Sequence, residues 1–169
     1  PEQGLLELRR VLGLFANLRP VRTEPELLYA SPLKPEVIAG VDIMVVRELT
    51  GGIYFGRKTR TAHEAEDVCS YSTAEIERVT RMAGRLAMGR LGRIVSVDKA
   101  NVLETSRLWR TVVERVLTEE FPQVQFEHML ADAAPRLVFG SRADLGVLDE
   151  LEPAEKASAH GVIEAQDRA

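Results

Sequence analysis

Three arginines in separate parts of the chain could together bind a small anion that carries several carboxylates. Arg9 lies in LELRR, Arg19 in FANLRP and Arg47 in VVREL, so each has apolar neighbours. The donors of a planar guanidinium match the two oxygens of a carboxylate, which makes arginine well suited to such ligands. Taken alone, each arginine could instead end a buried strand as a surface cap. Three of them in one α/β domain would form a pocket for a polycarboxylate.

Tyr54 and Lys99 are the residues that could transfer protons. Tyr54 lies in GGIYFG, and beside a cation its phenol could donate or accept a proton. The alternative is a core aromatic ring with a hydrogen-bonded hydroxyl. Lys99 directly follows the apolar run in IVSVD. Its alternative is a solvated residue at the end of a strand, because charged side chains are rarely buried unless they are paired.

Asp132 is the best candidate for a metal ligand, although its position also suits a structural role. It follows a predicted strand and opens a predicted helix, where it could cap the helix or bind a divalent cation through oxygen. Cys69 is the only cysteine, so the chain has neither an internal disulfide nor a cysteine metal cluster. A reducing compartment is therefore expected.

Four apolar segments are typical of β-strands. The strongest is VDIMVVREL, a continuous apolar run of the kind found in a strand buried on both faces. IVSVDKAN and VQFEHML are two more, and FANLRPVR predicts a strand that ends at Pro20. The TGG after VDIMVVREL predicts a hairpin or a sharp re-entry of the chain at IYFG.

Helical spacing predicts four helices beside these strands. The leucines of GLLELRRVL indicate a short first helix, and Ser72 with Glu75 forms a capping box ahead of an amphipathic second one. The third carries Trp109 on its flank, and ADAAPRLVFG predicts the start of a fourth, with Pro135 in its first turn. Strands that alternate with helices predict an α/β or mixed α+β sheet.

Composition sets the class of protein and excludes some partners. The 169 residues are 45% hydrophobic and 28% charged, which is typical of one globular domain. The net charge of -4 and the scattered basic residues argue against a nucleic-acid partner. No apolar run approaches the roughly 20 residues that span a bilayer, so no membrane partner is expected. The acid-rich residues 139–169 predict a tail that is either poorly ordered or a loosely attached helix, in which His160 is solvated.

Three blocks of sequence, in this order, resemble the isocitrate/isopropylmalate dehydrogenases, which are β-decarboxylating hydroxyacid dehydrogenases. They are GLLELRRVLGLFANLRP, VRELTGGIYFG and SVDKANVLETSRLWR, and the resemblance covers residues 1–138. The leucine-rich helix favours the isopropylmalate branch, because that branch uses this helix to contact an isopropyl group. The resemblance implies an isopropylmalate dehydrogenase-like mixed sheet flanked by helices. It further implies cytoplasmic oxidative decarboxylation of 3-isopropylmalate to 2-oxoisocaproate in leucine biosynthesis, with NAD and Mg²⁺ or Mn²⁺ as cofactors.

The resemblance also implies which residues bind the substrate. Arg9, Arg19 and Arg47 match the arginines that hold the two carboxylates of the malate group. Leu5 matches the apolar contact to the isopropyl branch. Asp132 matches an aspartate that binds the metal beside the substrate.

Catalytic and cofactor roles are implied in the same way. Lys99 would assist deprotonation of the C2 hydroxyl, and Tyr54 would protonate the enol after decarboxylation. Glu2 matches a contact to the nicotinamide end of NAD, and Asn101 would lie close to it.

A homodimer is implied as well, because in this family the lysine and the aspartate act inside the partner's cleft. Lys99 and Asp132 would then complete a second copy's site. The domains expected are a central substrate-binding and dimerisation region, residues 1–138, and a divergent acidic tail, residues 139–169.

Parts of the family pattern do not occur in the sequence. They are the Gly-Asp-Gly-Ile-Gly-Pro turn, the loop around the adenosine, and the helix with two further metal-binding aspartates. These departures predict an incomplete piece of an enzyme that does not turn over alone. Two alternatives stay open. One is a non-catalytic dimerising interaction module, and the other is a dehydrogenase for a related 2-hydroxy acid such as D-malate, tartrate or homoisocitrate.

Overall fold

The computed structural model describes residues 2–133 and 158–164, which form a mixed α/β fold. The helices are α1 (Glu2–Val11), α2 (Pro35–Ile38), α3 (Thr73–Met88) and α4 (Glu104–Glu120). The strands are β1 (Ala16–Arg22), β2 (Asp42–Glu48), β3 (Lys58–Arg60), β4 (Ala65–Asp67), β5 (Arg93–Asp98), β6 (Gln125–Leu130) and β7 (Ser158–Glu164). Short 3-10 helices occupy Pro25–Ala30 and Gly52–Tyr54. The predicted fold class is confirmed.

Five strands form one sheet in the order β1-β2-β7-β5-β6. β1 runs antiparallel to β2, whereas β2, β7, β5 and β6 run parallel to one another. The carboxyl ends of β2, β5 and β6 therefore lie at the same edge of the sheet. This edge is where side chains from successive strands can meet to form a site. None of the helices in the described ranges is long and apolar enough to cross a membrane.

The main core lies between the sheet and helices α3 and α4. Its buried members include Val46, Ile76, Ile94 and Trp109, and the Trp109 ring meets the Tyr71 ring edge-on at 5.4 Å between centroids. The predicted capping box begins α3, because the Ser72 side chain accepts from Glu75 N and the Glu75 carboxylate accepts from Ser72 N. A smaller apolar cluster, with Val95 at its centre, covers the opposite face of the sheet.

β1 continues through Pro20, where the sequence predicted its end. Pro20 pairs in register with Met44, and β1 is an edge strand with only β2 beside it. The N–H of Thr23 donates to Val41 O, and Phe15 O accepts from Leu49 N. The backbone N–H and C=O groups of the odd-numbered residues of β1 therefore point toward β2. The backbone nitrogen of Pro20 then points away from β2, so the N–H that proline lacks removes no hydrogen bond between the two strands.

The structure also adds a hairpin that the sequence did not predict. β3 and β4 pair antiparallel, from Lys58 with Asp67 to Arg60 with Ala65, and all of their residues are exposed. All of their side chains except Ala65 are polar, so the alternation that marks a half-buried strand is missing.

β7 falls inside the segment for which the sequence predicts a poorly ordered tail or a loosely attached helix. Its seven residues, Ser158–Glu164, form a strand between β2 and β5. Gly161 pairs with Met44 on one side and Ile94 on the other. The rest of the predicted tail lies outside the described residues, as does the helix expected after Asp132.

A proline in the middle of β7 should destabilise the sheet. Val162→Pro removes an N–H from a strand that is paired on both sides, and the carbonyl that loses this donor is buried in the ladder. We expect the free energy of unfolding to fall by about 1–3 kcal/mol, measured by urea denaturation. The control is Leu18→Pro, because Leu18 faces away from β2 on the edge strand as Pro20 does. Equal stability of the two variants would contradict the central place of β7.

Candidate active site

Seven residues line one cleft at the β1–β2 side of the sheet. The cleft has a volume of about 230 Å³, and its lining comes from α1, β1, the end of β2 and the turn after it: Leu5, Leu6, Arg9, Arg19, Arg47, Leu49 and Tyr54. The three predicted arginines thus meet in one place, together with Leu5 and Tyr54. Their convergence is the geometry that a polycarboxylate site requires.

The cleft is strongly electropositive. Within the described ranges its lining includes three guanidinium groups and no acidic side chain. Arg19 Nε donates to Asn17 Oδ1 at 2.7 Å, and Arg47 Nε is buried without a hydrogen-bond partner among the described residues. A buried donor that is not satisfied is unfavourable by about 1–3 kcal/mol. A bound carboxylate would supply both the missing acceptor and the opposite charge.

One wall of the cleft is apolar. Leu5 is half exposed there, and Leu49 is only 6% exposed. Leu6 and Leu49 were not singled out from the sequence. Leu6 was grouped with the other leucines of α1, and Leu49 stands just past the end of β2, where alternation no longer indicates a face. The wall suits an alkyl group on the ligand.

The position of Tyr54 depends on a tight glycine turn. Gly52 has φ of 70°, a conformation that suits glycine, and its N–H donates to Ser70 O at 2.8 Å. At Gly56 an added Cβ would lie 1.6 Å from Val68 O, so no other residue fits there. The turn brings the Tyr54 ring to 5.8 Å from the Arg47 guanidinium carbon, close enough for a cation–π contact.

Buried carboxylates at the ends of β2 and β5 secure the loops that follow. Glu48 is fully buried, and its carboxylate accepts from Thr50 N at 2.9 Å and Gly51 N at 2.8 Å. Asp98 is 2% exposed, and it accepts from Ala100 N at 2.9 Å and from Arg110 Nε at 2.7 Å. Each carboxylate thus satisfies backbone donors of the loop next to a candidate site residue.

Lys99 and Asp132 do not line the cleft. They follow β5 and β6 at the same edge of the sheet, where the Lys99 ammonium forms an ion pair with the Asp132 carboxylate. The Lys99 side chain is 28% exposed, whereas that of Asp132 is 70% exposed. β7 lies between β2 and β5, and the spacing of two strands separates them by about 10 Å. Within one chain, these two residues form a second group beside the arginine cleft.

Of the two predicted cofactor contacts, Asn101 is the one whose side chain the structure describes, and it joins neither group. Asn101 is exposed in the turn after Lys99, and it does not line the cleft. Glu2 begins α1, and its side chain lies outside the described part of the chain. In residues 2–133 no three acidic, histidine or cysteine side chains are grouped so that they could hold a metal. Asp132 alone does not fit the requirements of a divalent cation, which takes several oxygen ligands.

His128 is an ionisable residue near Asp98 that the sequence did not indicate. Its Nδ1 lies 3.9 Å from Asp98 Oδ2, and both ring nitrogens are buried without a hydrogen-bond partner in the described residues. Burial lowers the pKa of His128 below its ordinary value, and the positive charge of Arg110 lowers this pKa further. The charges of Asp98 and Glu114 oppose this shift without reversing it. The imidazole is therefore neutral near pH 7.

Comparison with known proteins agrees with the family resemblance that the three sequence blocks carry. Residues 1–148 match the family described as isocitrate/isopropylmalate dehydrogenase, a match that runs beyond residue 138. The chain is 52% identical over 153 residues to a 3-isopropylmalate dehydrogenase of Anaeromyxobacter dehalogenans (strain 2CP-C). It is 53% identical over 146 residues to that of Bacillus subtilis (strain 168).

These similarities cover most of this chain and less than half of each relative. The shares are 88% of this chain and 43% of the Anaeromyxobacter protein, and 82% and 40% for the Bacillus protein. A 3-isopropylmalate dehydrogenase of Streptococcus mutans is 51% identical over 148 residues, with shares of 88% and 43%. The chain thus spans about two fifths of the length of the curated relatives that it matches.

The depressed pKa of His128 predicts a specific pH dependence of stability. The unfolded chain binds a proton at His128 near pH 6.5, whereas the folded chain resists it. The free energy of unfolding should therefore fall as the pH is lowered through this value, until the folded-state pKa is passed. His128→Leu should have a shallower dependence between about pH 7.5 and pH 5.5 in urea denaturation.

The control is His63→Leu, which replaces an exposed histidine in the β3–β4 hairpin. It should keep the slope of the parent chain. A His128→Leu slope equal to that of the parent would show that burial does not alter this imidazole.

Proposed function

The chain belongs to the isocitrate/isopropylmalate dehydrogenase family, and from that premise we propose that it binds 3-isopropylmalate for oxidative decarboxylation to 2-oxoisocaproate. NAD⁺ would be the electron acceptor, Mg²⁺ or Mn²⁺ the metal, and leucine biosynthesis the pathway, in the cytoplasm. The observation that carries the proposal is the single cleft in which Arg9, Arg19 and Arg47 meet an apolar wall.

The cleft matches the chemistry of 3-isopropylmalate group by group. Its two carboxylates need paired donors and positive charge, which three guanidinium groups provide without an acid among the described lining residues. Its isopropyl branch needs an apolar surface, which Leu5, Leu6 and Leu49 supply. Binding both ends of the substrate fixes the orientation of the C2 hydroxyl and of the carboxylate that is lost.

Tyr54 is proposed as the proton donor that completes the reaction. After the β-carboxylate leaves as CO₂, the electron pair of the broken bond remains on the substrate as an enolate. A proton delivered to carbon gives the 2-oxo acid product. Tyr54 lies in the cleft beside the Arg47 guanidinium, so its phenol is among the proposed substrate-binding residues.

Lys99 is proposed as the base for the C2 hydroxyl, acting in the cleft of a second copy. In one chain its ammonium pairs with Asp132, and neither residue lines the arginine cleft. A homodimer that brings this edge of one subunit to the cleft of the other would supply the missing amine. Asp132 would enter with Lys99, as one carboxylate ligand of the metal.

Cofactor binding needs more than the described residues contain. A single candidate carboxylate does not make a metal site, and the proposed NAD contact Asn101 does not line the cleft. The metal and the nicotinamide therefore belong to the proposal through family membership alone. No step of the proposed reaction involves the metal or the nicotinamide.

The apolar wall also separates isopropylmalate from related substrates. D-malate lacks the alkyl branch, and tartrate places a hydroxyl where the leucines would contact carbon. A buried polar group without a partner is unfavourable, so an apolar wall disfavours tartrate. In homoisocitrate the isopropyl branch is replaced by a chain that ends in a third carboxylate. A non-catalytic dimerising module is the alternative of a different class, and it requires no ligand in the cleft.

Ligand binding by the chain can be measured through its thermal stability. At a concentration 100 times its Kd, a ligand that binds only the native state adds about 2.7 kcal/mol of stability. We expect 3-isopropylmalate with Mg²⁺ to raise Tm by several degrees, and D-malate or tartrate to raise it less. Arg47→Met should lose most of the rise. Arg85→Met, at an exposed position in the last turn of α3, should keep it.

The same titration distinguishes the two classes of function. If no hydroxy acid changes Tm, the substrate assignment is wrong and the interaction module is favoured. If homoisocitrate gives the largest rise, the reaction type stays and the substrate changes.

Turnover gives a second test. We expect the 169-residue chain to form no NADH from 3-isopropylmalate, NAD⁺ and Mg²⁺, because the described residues supply only one metal carboxylate. Absorbance at the NADH band measures this, and a full-length relative serves as the positive control. Clear NADH formation by the isolated chain would overturn this expectation and would show that its own residues complete the site.

A further inference from the structure

Glu48 is a fully buried carboxylate that does not face the cleft. It follows Arg47 in β2, and successive residues of a strand point to opposite faces of the sheet. Arg47 reaches the cleft, whereas Glu48 lies on the face that α3 covers. Of the last two residues of β2, Arg47 thus lines the candidate site and Glu48 lies in the core.

The Glu48 carboxylate binds the start of the glycine turn through both oxygens. Oε1 lies 2.9 Å from Thr50 N and 2.7 Å from Thr50 Oγ1, and Oε2 lies 2.8 Å from Gly51 N. Hydrogen bonds to a charged acceptor are about twice as strong as neutral ones. The three donors belong to two consecutive residues, so they fix the direction in which the chain leaves β2.

Arg78 ties the same carboxylate to helix α3. Its Nη2 lies 3.5 Å from Glu48 Oε1 and donates to Thr50 Oγ1, and its guanidinium lies 5.2 Å from the centre of the Phe15 ring. A buried carboxylate is tolerated only when its charge is paired and its oxygens are bonded. Glu48 therefore anchors the turn to a rigid helix of the core.

The rest of the turn has little freedom once its start is fixed. A Cβ on Gly51 would lie 2.6 Å from the Tyr71 ring, and Gly52 N bonds to Ser70 O at 2.8 Å. The 3-10 helix Gly52–Tyr54 follows immediately, so Tyr54 is carried by this anchored turn. Its ring, 42% exposed, has the Arg47 contact as its described partner in the cleft.

We propose that Glu48 is a positioning residue that holds the Tyr54 ring over the Arg47 guanidinium. It acts through the backbone of Thr50 and Gly51 and contacts no ligand itself. The consequence for proton transfer rests on the function proposed above. The effect on the place of the ring is independent of any substrate, and a purely stabilising role of Glu48 would leave that place unchanged.

Ring-¹³C tyrosine NMR can follow Tyr54 directly in the intact chain. The sequence contains three tyrosines, of which Tyr29 is 83% exposed and Tyr71 is 8% exposed. Tyr54→Phe assigns the signal. In Glu48→Gln, one oxygen becomes an NH₂ group that faces the backbone donors, so the turn must shift. We expect the Tyr54 signal to move toward that of Tyr29, while the signal of the exposed Tyr29 stays in place.

Glu77→Gln is the matched control. Like Glu48, Glu77 is a carboxylate paired with arginine, since it binds Arg81 and Arg115, but it lies on α3 and does not contact the glycine turn. Its removal should leave the Tyr54 and Tyr71 signals unchanged. A folded Glu48→Gln protein with an unmoved Tyr54 signal would overturn the proposal.

A second variant keeps the test decisive if Glu48→Gln does not fold. Thr50→Val removes only the hydroxyl that links Glu48 to Arg78. It should move the Tyr54 signal in the same direction by a smaller amount, and Thr50→Ser should restore it. An unmoved signal in folded Thr50→Val would equally overturn the proposal.

Binding of 3-isopropylmalate separates this inference from the proposed function. Loss of the ring beside Arg47 should weaken binding in Glu48→Gln by about threefold, the equivalent of one exposed cation–π contact. If the parent chain binds no 3-isopropylmalate but the Tyr54 signal still moves, the proposed substrate is wrong and the positioning role stands. If the parent chain binds and the Tyr54 signal does not move, the reverse holds.

Discussion

The arrangement of the candidate site depends on how two carboxylates are neutralised inside the core. Glu48 ends β2 and Asp98 ends β5, and both lie where water cannot solvate them. Burying an unpaired charge is prohibitive, so each must find donors nearby. Each finds backbone N–H groups in the loop that follows and an arginine on the next helix, Arg78 or Arg110. The requirement to satisfy a core anion therefore sets the path of both loops.

The ends of β2 and β5 also supply two cations among the candidate site residues, Arg47 and Lys99. Arg47 precedes Glu48, and Lys99 follows Asp98, so each buried anion has a neighbouring cation in the chain. The anions are satisfied within the fold, whereas Arg47 keeps a buried donor without a described partner. Three guanidinium groups in one cleft repel one another, and an anionic ligand relieves that repulsion.

Much of the fold followed from sequence patterns, while several site features did not. Apolar runs indicated β2, β5 and β6, and the capping box indicated the start of α3, because these signals are local. The convergence of Arg9, Arg19 and Arg47 is a long-range property. Flanking residues could only suggest it, and family resemblance made it specific. Glu48 was invisible for a related reason, since an acid after an apolar run is usually solvent-exposed.

Two other differences have equally physical causes. β1 passes Pro20 because an edge strand has one side without a ladder, and position 20 happens to face that side. The strand Ser158–Glu164 arises in an acid-rich segment because β2 and β5 offer two unsatisfied edges. Composition measures what a segment can bury by itself. It does not measure the hydrogen bonds that the unpaired edges of β2 and β5 can form with the segment.

The place of β7 in the sheet has a consequence for the order in which the molecule assembles. β2 and β5 are synthesised before β7, the strand that lies between them and pairs with both. Until Ser158–Glu164 emerges, both strands have bare parallel edges, which are the features that recruit other chains into aggregates. Closure joins residues far apart in sequence, and such contacts form slowly. The five-stranded sheet can therefore close only after residues 158–164 are available to pair with both strands.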